Sequence, residues 1–342
     1  MTATPPRRLL AALATCACAT AIAACGSKQD AITAPAVKPF TVMLDWFPNA
    51  DHAALYSAIA GGEFRAGGLE VKPVIPSETA EPLKLLAAGR VDMAISYEPE
   101  LLLARDQGLK VVSIAALVQR PLTSIIALPS AHVQSLAALA GKTVGTAGIP
   151  YQAAELRTAL QHAGVAPGSV REANVGFNLV PAMLSGRVAA TLGGFWNYEA
   201  IQLRQMGKRP LVVPVDQAGV PTYDELVLVV REDEAGARGQ DLRAFLQALS
   251  AGERAVRANP TAAAKLIAQA NPSASLKLQR ASIEATLPAY VPAEAGKPYG
   301  WQDPSAWARF GSWMLSRGLI KTNPNGQALP PFTNEFLPGQ GI

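Results

Sequence analysis

Seven residues, Gly193-Gly194-Phe195-Trp196-Asn197-Tyr198-Glu199, follow the short apolar stretch Ala189–Leu192 and bring together three aromatic rings, an amide and a carboxylate. Paired glycines let a backbone come close to a guest. The rings offer flat faces, and Glu199 offers an acceptor for N–H donors of a heterocycle. A core would take the aromatics but not an unpaired buried carboxylate, which is costly. Stacking and a charge-assisted hydrogen bond each contribute on the order of 1–3 kcal/mol. The alternative is that Glu199 simply opens the next helix in solvent.

Three further segments have compositions that folding alone does not need. Leu44-Asp45-Trp46-Phe47-Pro48-Asn49-Ala50-Asp51-His52 puts two aromatics and several polar groups where a short turn would suffice. Trp46 is expected to face a ligand and Asn49 to offer its amide; Asp51 fits a helix cap, and His52 fits a structural hydrogen-bonder. In Ser96-Tyr97-Glu98-Pro99-Glu100, Tyr97 directly follows a strand, while Glu98 and Glu100 suit a helix N-terminus. In Gly145–Gln152, Tyr151 precedes a helix and is expected to supply a further aromatic contact, without a phosphate-type glycine pattern. The expected ligand set is therefore Trp46, Asn49, Tyr97, Tyr151, Trp196, Tyr198 and Glu199. No catalytic residue, metal site or cofactor is expected, because His52, His132 and His162 are scattered and no nucleophile motif is present.

The N-terminus carries different chemistry. Arg7 and Arg8 precede an uncharged run from Leu9 to Ala24, and Ile22-Ala23-Ala24-Cys25 is followed by Gly26-Ser27. A basic start, a short apolar run and small residues before a cut are the parts of a secretory signal. A cysteine at the cut is the lipobox arrangement, so residues 1–24 are expected to be removed and Cys25 acylated. Each buried CH₂ of an acyl chain adds about 0.8 kcal/mol of membrane affinity. The other two cysteines, Cys16 and Cys18, lie in the leader, which leaves no thiol pair in the body for a disulfide or zinc site. Of the 30 Lys and Arg residues two lie in the leader, leaving 28 against 26 acidic residues. No basic cluster stands out, and nucleic-acid binding gains no support. Residues 25–39, with Pro35 and Pro39, read as a flexible tether.

These segments must be positioned by a scaffold, and its rhythm is legible. Strands are expected at Phe40–Leu44, Leu69–Val74, Val91–Ile95 and Val111–Leu117, separated by helices at His52–Ala60, Glu81–Ala88 and Glu98–Gln107. The pattern implies βαβ units and a parallel sheet covered on both faces. It restarts after Pro129 with Thr143–Gly145, the helix Gln152–Ala163, Val170–Asn174, the helix Val180–Ser185 and Ala189–Leu192. Ser124–Leu128 and Glu225–Val230 read as extended segments joining two α/β lobes. Lobe 1 is expected to comprise 40–128 and 225–342, and lobe 2 to comprise 129–224. From Asp241 onward the chain reads as helical and is expected to pack on lobe 1. Ligands of open α/β sheets sit beyond the carboxyl ends of the strands, which is where all four segments fall.

Leu44-Asp-Trp-Phe-Pro-Asn, Ala94-Ile-Ser-Tyr-Glu-Pro-Glu, Leu117-Val-Gln-Arg-Pro-Leu-Thr-Ser, Gly141-Lys-Thr-Val-Gly and Gly193-Gly-Phe-Trp-Asn-Tyr-Glu occur in this order in one group, and Thr333-Asn-Glu also fits it. The chain resembles the ABC-importer substrate-binding proteins of the SsuA/Thi5-like family, which is shared with the hydroxymethylpyrimidine synthase of thiamine biosynthesis. The resemblance implies an α/β, type II periplasmic-binding-protein fold, two lobes with a hinge. It implies a thiamine pyrimidine precursor as cargo, hydroxymethylpyrimidine or its formylaminomethyl relative. A flat aminopyrimidine could stack between Trp46 and the Trp196/Tyr198 pair and pair its amine and ring nitrogen with Glu199.

The synthases carry a cysteine-rich motif after the second lobe, whereas Val220-Pro-Thr-Tyr-Asp-Glu-Leu has no cysteine. Nothing marks Lys84 as a Schiff-base lysine, so an enzyme is not expected. The expected partners are an aminopyrimidine, an ABC permease and ATPase complex, and the membrane through the lipid anchor only. The protein is expected to act as a monomer outside the cytoplasm. Alternatives within the same role are riboflavin, which is also flat and rich in N–H groups, and an alkanesulfonate or nitrate. The last two would want cations in the cleft, and Arg120 is the one near a hinge.

Overall fold

The computed structural model describes residues 37–79 and 81–340. From Val37 to Ile342 the chain forms one compact unit built on two five-stranded sheets. The first sheet has the order β2-β1-β3-β10-β4, with β1 Lys38–Met43, β2 Leu69–Val74, β3 Met93–Ser96, β4 Val111–Val118 and β10 Leu226–Arg231. The second has the order β7-β6-β8-β5-β9, with β5 Thr123–Ala127, β6 Thr143–Thr146, β7 Arg171–Asn174, β8 Ala190–Phe195 and β9 Leu211–Pro214. Central strands are apolar on both faces because helices cover both; all of Leu226–Val230 is buried.

The sheets are mixed rather than parallel. β1 runs parallel to β2 and β3, but β10 is antiparallel to β3 and β4, and β5 is antiparallel to β8 and β9. Topology supplies the reason. The chain passes between sheets at their cleft-facing ends, so each strand that begins just after a crossing starts at the cleft and runs away from it. β5 is such a strand and lies wholly in the second sheet. The outward crossing therefore falls at 119–122, earlier than the position after Leu128 expected from sequence. The edge strand β9 also had no sequence expectation: Pro210 and Pro214 bracket it, and proline is confined to strand edges and ends.

The C-terminal helices pack where amphipathicity directs them. Gly239–Ala258 buries Leu242, Phe245, Leu246, Leu249 and Val256 on one stripe against Ala53–Ala60 of the first lobe. The two helices touch so closely that a Cβ at Gly252 would sit 2.1 Å from the Ala54 carbonyl oxygen. The helix Leu276–Thr286 instead reaches both lobes, since Gln279 Nε2 donates to Tyr198 Oη at 3.3 Å. Among the described residues no helix is long and apolar enough to cross a membrane. Cys25 and the leader lie outside the described residues.

Candidate functional site

The carboxyl ends of β1, β3, β6, β7 and β8 converge on one cavity between the lobes. Its lining includes Asp45, Trp46, Tyr97, Tyr151, Phe177 and Glu199. It is large enough to hold more than one water. The lobes meet around it: Thr79 Oγ1 donates to the Ala147 carbonyl at 3.3 Å, and Asn197 Nδ2 donates to Asp51 Oδ1 at 2.7 Å.

The first-lobe wall is wired internally. Asp45 accepts Tyr97 Oη–H at 2.9 Å on Oδ2, and its Oδ1 lies 2.7 Å from His52 Nε2. His52 Nδ1 accepts the Asn49 backbone N–H at 3.2 Å, so the ring proton sits on Nε2 and is donated to Asp45. Asn49 is buried and closes a capping box with His52, while its Nδ2 donates to the Phe47 carbonyl at 3.1 Å. These bonds fix the Trp46 loop. Trp46 stands edge-on to Tyr198 (centroids 5.6 Å, planes at 90°) and tilted to Phe177 at 6.2 Å.

The second-lobe wall rests on a bulge. The pairing of β5 with β8 slips between Ser124 and Ile125, passing over Gly193. Gly193 has φ +108°, and a Cβ there would meet Gln152 Nε2 at 2.6 Å, so only glycine fits. Gln152 Oε1 accepts the Ala147 N–H at 2.9 Å and holds the neighbouring loop. Beyond the bulge Phe195 turns to the cavity, and Glu199 Oε2 accepts the Phe195 N–H at 2.7 Å. Burial raises the Glu199 carboxyl to about 7 against the pull of N–H donors from Phe195 and its own backbone. Near neutral pH this group therefore exchanges between a carboxylate and a carboxylic acid, which has one O–H donor and one carbonyl acceptor.

The sequence pattern described as "NMT1/THI5 like" matches residues 49–263. The chain is also 36% identical over 82% of its length, and 85% of the relative's, to the formylaminopyrimidine-binding protein of Halalkalibacterium halodurans. The chain belongs to the NMT1/THI5-like family. It is 29% identical to the riboflavin-binding protein RibY of Chloroflexus aurantiacus, over 89% of this chain and 88% of that one. Among solved structures it is similar to the alkanesulfonate-binding protein SsuA of Xanthomonas axonopodis pv. citri, with a TM-score of 0.65 at 14% identity over 84% of this chain and 96% of that one. That likeness shows the periplasmic-binding-protein fold.

In this NMT1/THI5-like protein the expected site residues divide. Trp46, Tyr97, Tyr151 and Glu199 line the cavity, and Tyr198 lies beside it in an adjoining outer depression that also borders Trp46 and Glu199. Asn49 and Trp196 are elsewhere. The Asn49 amide is used by its own loop, as above. Trp196 Nε1 donates to the Pro121 carbonyl at 2.9 Å, and Arg120 lies 4.9 Å over its ring, so both brace the outward crossing. Asp45, Thr79, Thr123, Gln152 and Phe177 line the cavity without having been singled out from sequence. Phe177 follows β7 and falls under the same post-strand rule that found Tyr97; the polar four carry no local signal.

A single side chain ties the two crossings together. Glu225 Oε2 accepts the N–H groups of Leu122 (2.6 Å) and Thr123 (2.8 Å), and Oε1 accepts the Thr123 hydroxyl at 2.8 Å. Around it lie other buried acids. Asp224 accepts Trp307 Nε1–H at 2.8 Å, Glu98 Oε2 accepts the Asp224 N–H at 2.7 Å, and Glu155 is buried beside Tyr223. Burial raises Glu225 and Asp224 to about 7 and Glu155 and Glu98 well above the ordinary carboxylate value.

Proposed function

We propose that this protein is the substrate-binding component of an ABC importer, held outside the cytoplasm by an acylated Cys25, and that its cargo is a thiamine pyrimidine precursor. Hydroxymethylpyrimidine and its formylaminomethyl relative are the candidates. The reading is carried by Glu199. A carboxyl raised to about 7 matches an aminopyrimidine at two points: its O–H donates to the ring nitrogen, and its carbonyl oxygen accepts the exocyclic amine. Trp46, Phe177, Tyr97 and Tyr151 supply rings around that pair, and Asp45 lies on the opposite wall.

The site is read as one of capture and release rather than turnover. Contacts from both lobes favour the closed arrangement, and a ligand shifts that equilibrium only by its differential affinity for the two states. The permease would recognise the closed form. The cavity lining contains no Lys or Arg, which disfavours a sulfonate or nitrate. The similarity to RibY keeps riboflavin as the second reading.

Calorimetric titration of the body with hydroxymethylpyrimidine, the formylaminomethyl analogue, thiamine and riboflavin tests this. Tight binding of an aminopyrimidine with thiamine much weaker is the expected result. Heat with riboflavin alone would replace the cargo and leave the role; turnover of a pyrimidine would overturn the role.

A further inference from the structure

The second lobe has a feature at its outer end, away from the cleft, that ligand capture does not use. A depression of about 620 Å³ lies at the amino ends of β6, β7 and β8 and is lined by His132, Lys142, Arg171 and Arg187, with no acidic residue. Arg171 Nε donates to Thr143 Oγ1 at 3.2 Å, which orients its guanidinium. His132 is the one non-glycine residue with positive φ (54°) among the described residues. The exposed acid nearest in sequence, Glu172, follows Arg171 in β7 and so points to the opposite face of the strand.

The charge distribution makes the depression more than a local accident. Between Gln119 and Asp224 the sequence has eight Lys and Arg residues and five Asp and Glu. Glu155, Glu199 and Asp224 are buried, leaving only Glu172 and Asp216 at the surface. Every ion pair among the described residues joins two residues of the first lobe, and none involves a cation of the second. An apolar group adjoins the cations: Leu184, 43% exposed, lines this depression beside them.

We propose that this end of the second lobe docks on an anionic lipid surface, the cations meeting phosphodiester headgroups and Leu184 entering between them. A wide, shallow basin with several unpaired cations suits many headgroups better than one small anion. An exposed aliphatic group beside cations is the combination that peripheral membrane binding uses. Docking would hold the body at the membrane on a second contact, independent of acylation and of cargo, with the cleft facing away from the bilayer.

The test is co-sedimentation of the non-acylated body, Val37–Ile342, with vesicles of phosphatidylglycerol and phosphatidylcholine or of phosphatidylcholine alone. Binding to the anionic vesicles only, lost as salt rises to about 0.5 M, is the expected result. Arg171→Glu with Arg187→Glu should weaken it by at least about tenfold. Arg254→Glu with Lys265→Glu, the same charge change on exposed first-lobe cations, should change it less than about twofold. Thermal melting and pyrimidine titration, unchanged in both variants, show that folding and the cleft are intact. The proposal is overturned if the anionic vesicles are ignored or if both double variants weaken binding equally. Displacement by millimolar inorganic phosphate would also overturn it, in favour of a free-anion site.

Discussion

The two walls of the cleft solve different problems. On the first lobe the polar groups bond to one another: Asp45 is engaged by Tyr97 and His52, and His52 by the Asn49 backbone. On the second lobe Glu199 is held by backbone N–H groups, sits in a ring of aromatics, and is raised to about 7 by burial. The first wall is preorganised and the second is left with bonding capacity. A binding site needs both, because a guest gains most from groups already fixed in place and not yet satisfied. In the proposed reading, orientation comes from the first lobe and selectivity from the second.

Removing Glu199 should do the most damage. Glu199→Ala is expected to weaken aminopyrimidine binding roughly hundredfold by calorimetry, the loss of a paired hydrogen bond in a buried site. Affinity near wild type would shift the selective role elsewhere. Proton dependence comes next. If the acid form makes the pair, affinity should be flat below about pH 7 and fall about tenfold per unit above it as Glu199 loses its proton. Glu199→Gln keeps a donor and an acceptor, so it should bind more tightly than Glu199→Ala and lose that slope. A wild-type affinity that rose with pH would mean that the carboxylate is the binding form.

Smaller effects test the other wall. Trp46→Ala should cost about tenfold, the contribution of one ring face. Trp196→Ala should change affinity less than about twofold while lowering the melting temperature, since its ring braces Pro121 and Arg120. A large loss of affinity in that variant would return Trp196 to the cleft. Stability itself should track the buried acids. Asp51, Glu100, Asp224 and Glu225 are all raised to about 7, chiefly by burial. The folded state thus binds more protons than the unfolded chain between the ordinary carboxylate range and about pH 7. Their stabilisation is complete in acid and lost as pH rises through 7, so the protein should melt lower at pH 8.5 than at pH 5.5. A higher melting point at pH 8.5 would mean that these groups are charged in the fold.

What the sequence disclosed and what it withheld have a common cause. The alternation of short apolar runs with amphipathic stretches located most strands and helices, and the rule that ligands lie beyond strand ends pointed to Trp46, Tyr97, Tyr151 and Glu199, which line the cavity. It failed on the choice between Phe195 and Trp196 because neighbouring residues at a strand end face opposite ways. Which one faces inward depends on the bulge at Gly193, a one-residue slip that reverses every face after it. Gln152, Thr79 and Thr123 escaped because polar residues of these types are common in surface loops, and only the fold brings them together. The crossing at 119–122 was placed late because Thr123–Ala127 has the same apolar, β-branched content whichever sheet it joins.

Glu225 gives the molecule a mechanical character. One carboxyl group grips the start of β5 from the start of β10, so the two chain passages are tied at one point. A rotation of the halves about that point would displace their outer edges most. A dye on the outer edge of each half, far from the cargo, would travel furthest and disturb the chemistry least. A reporter of occupancy could therefore be built at the ends of the two arms.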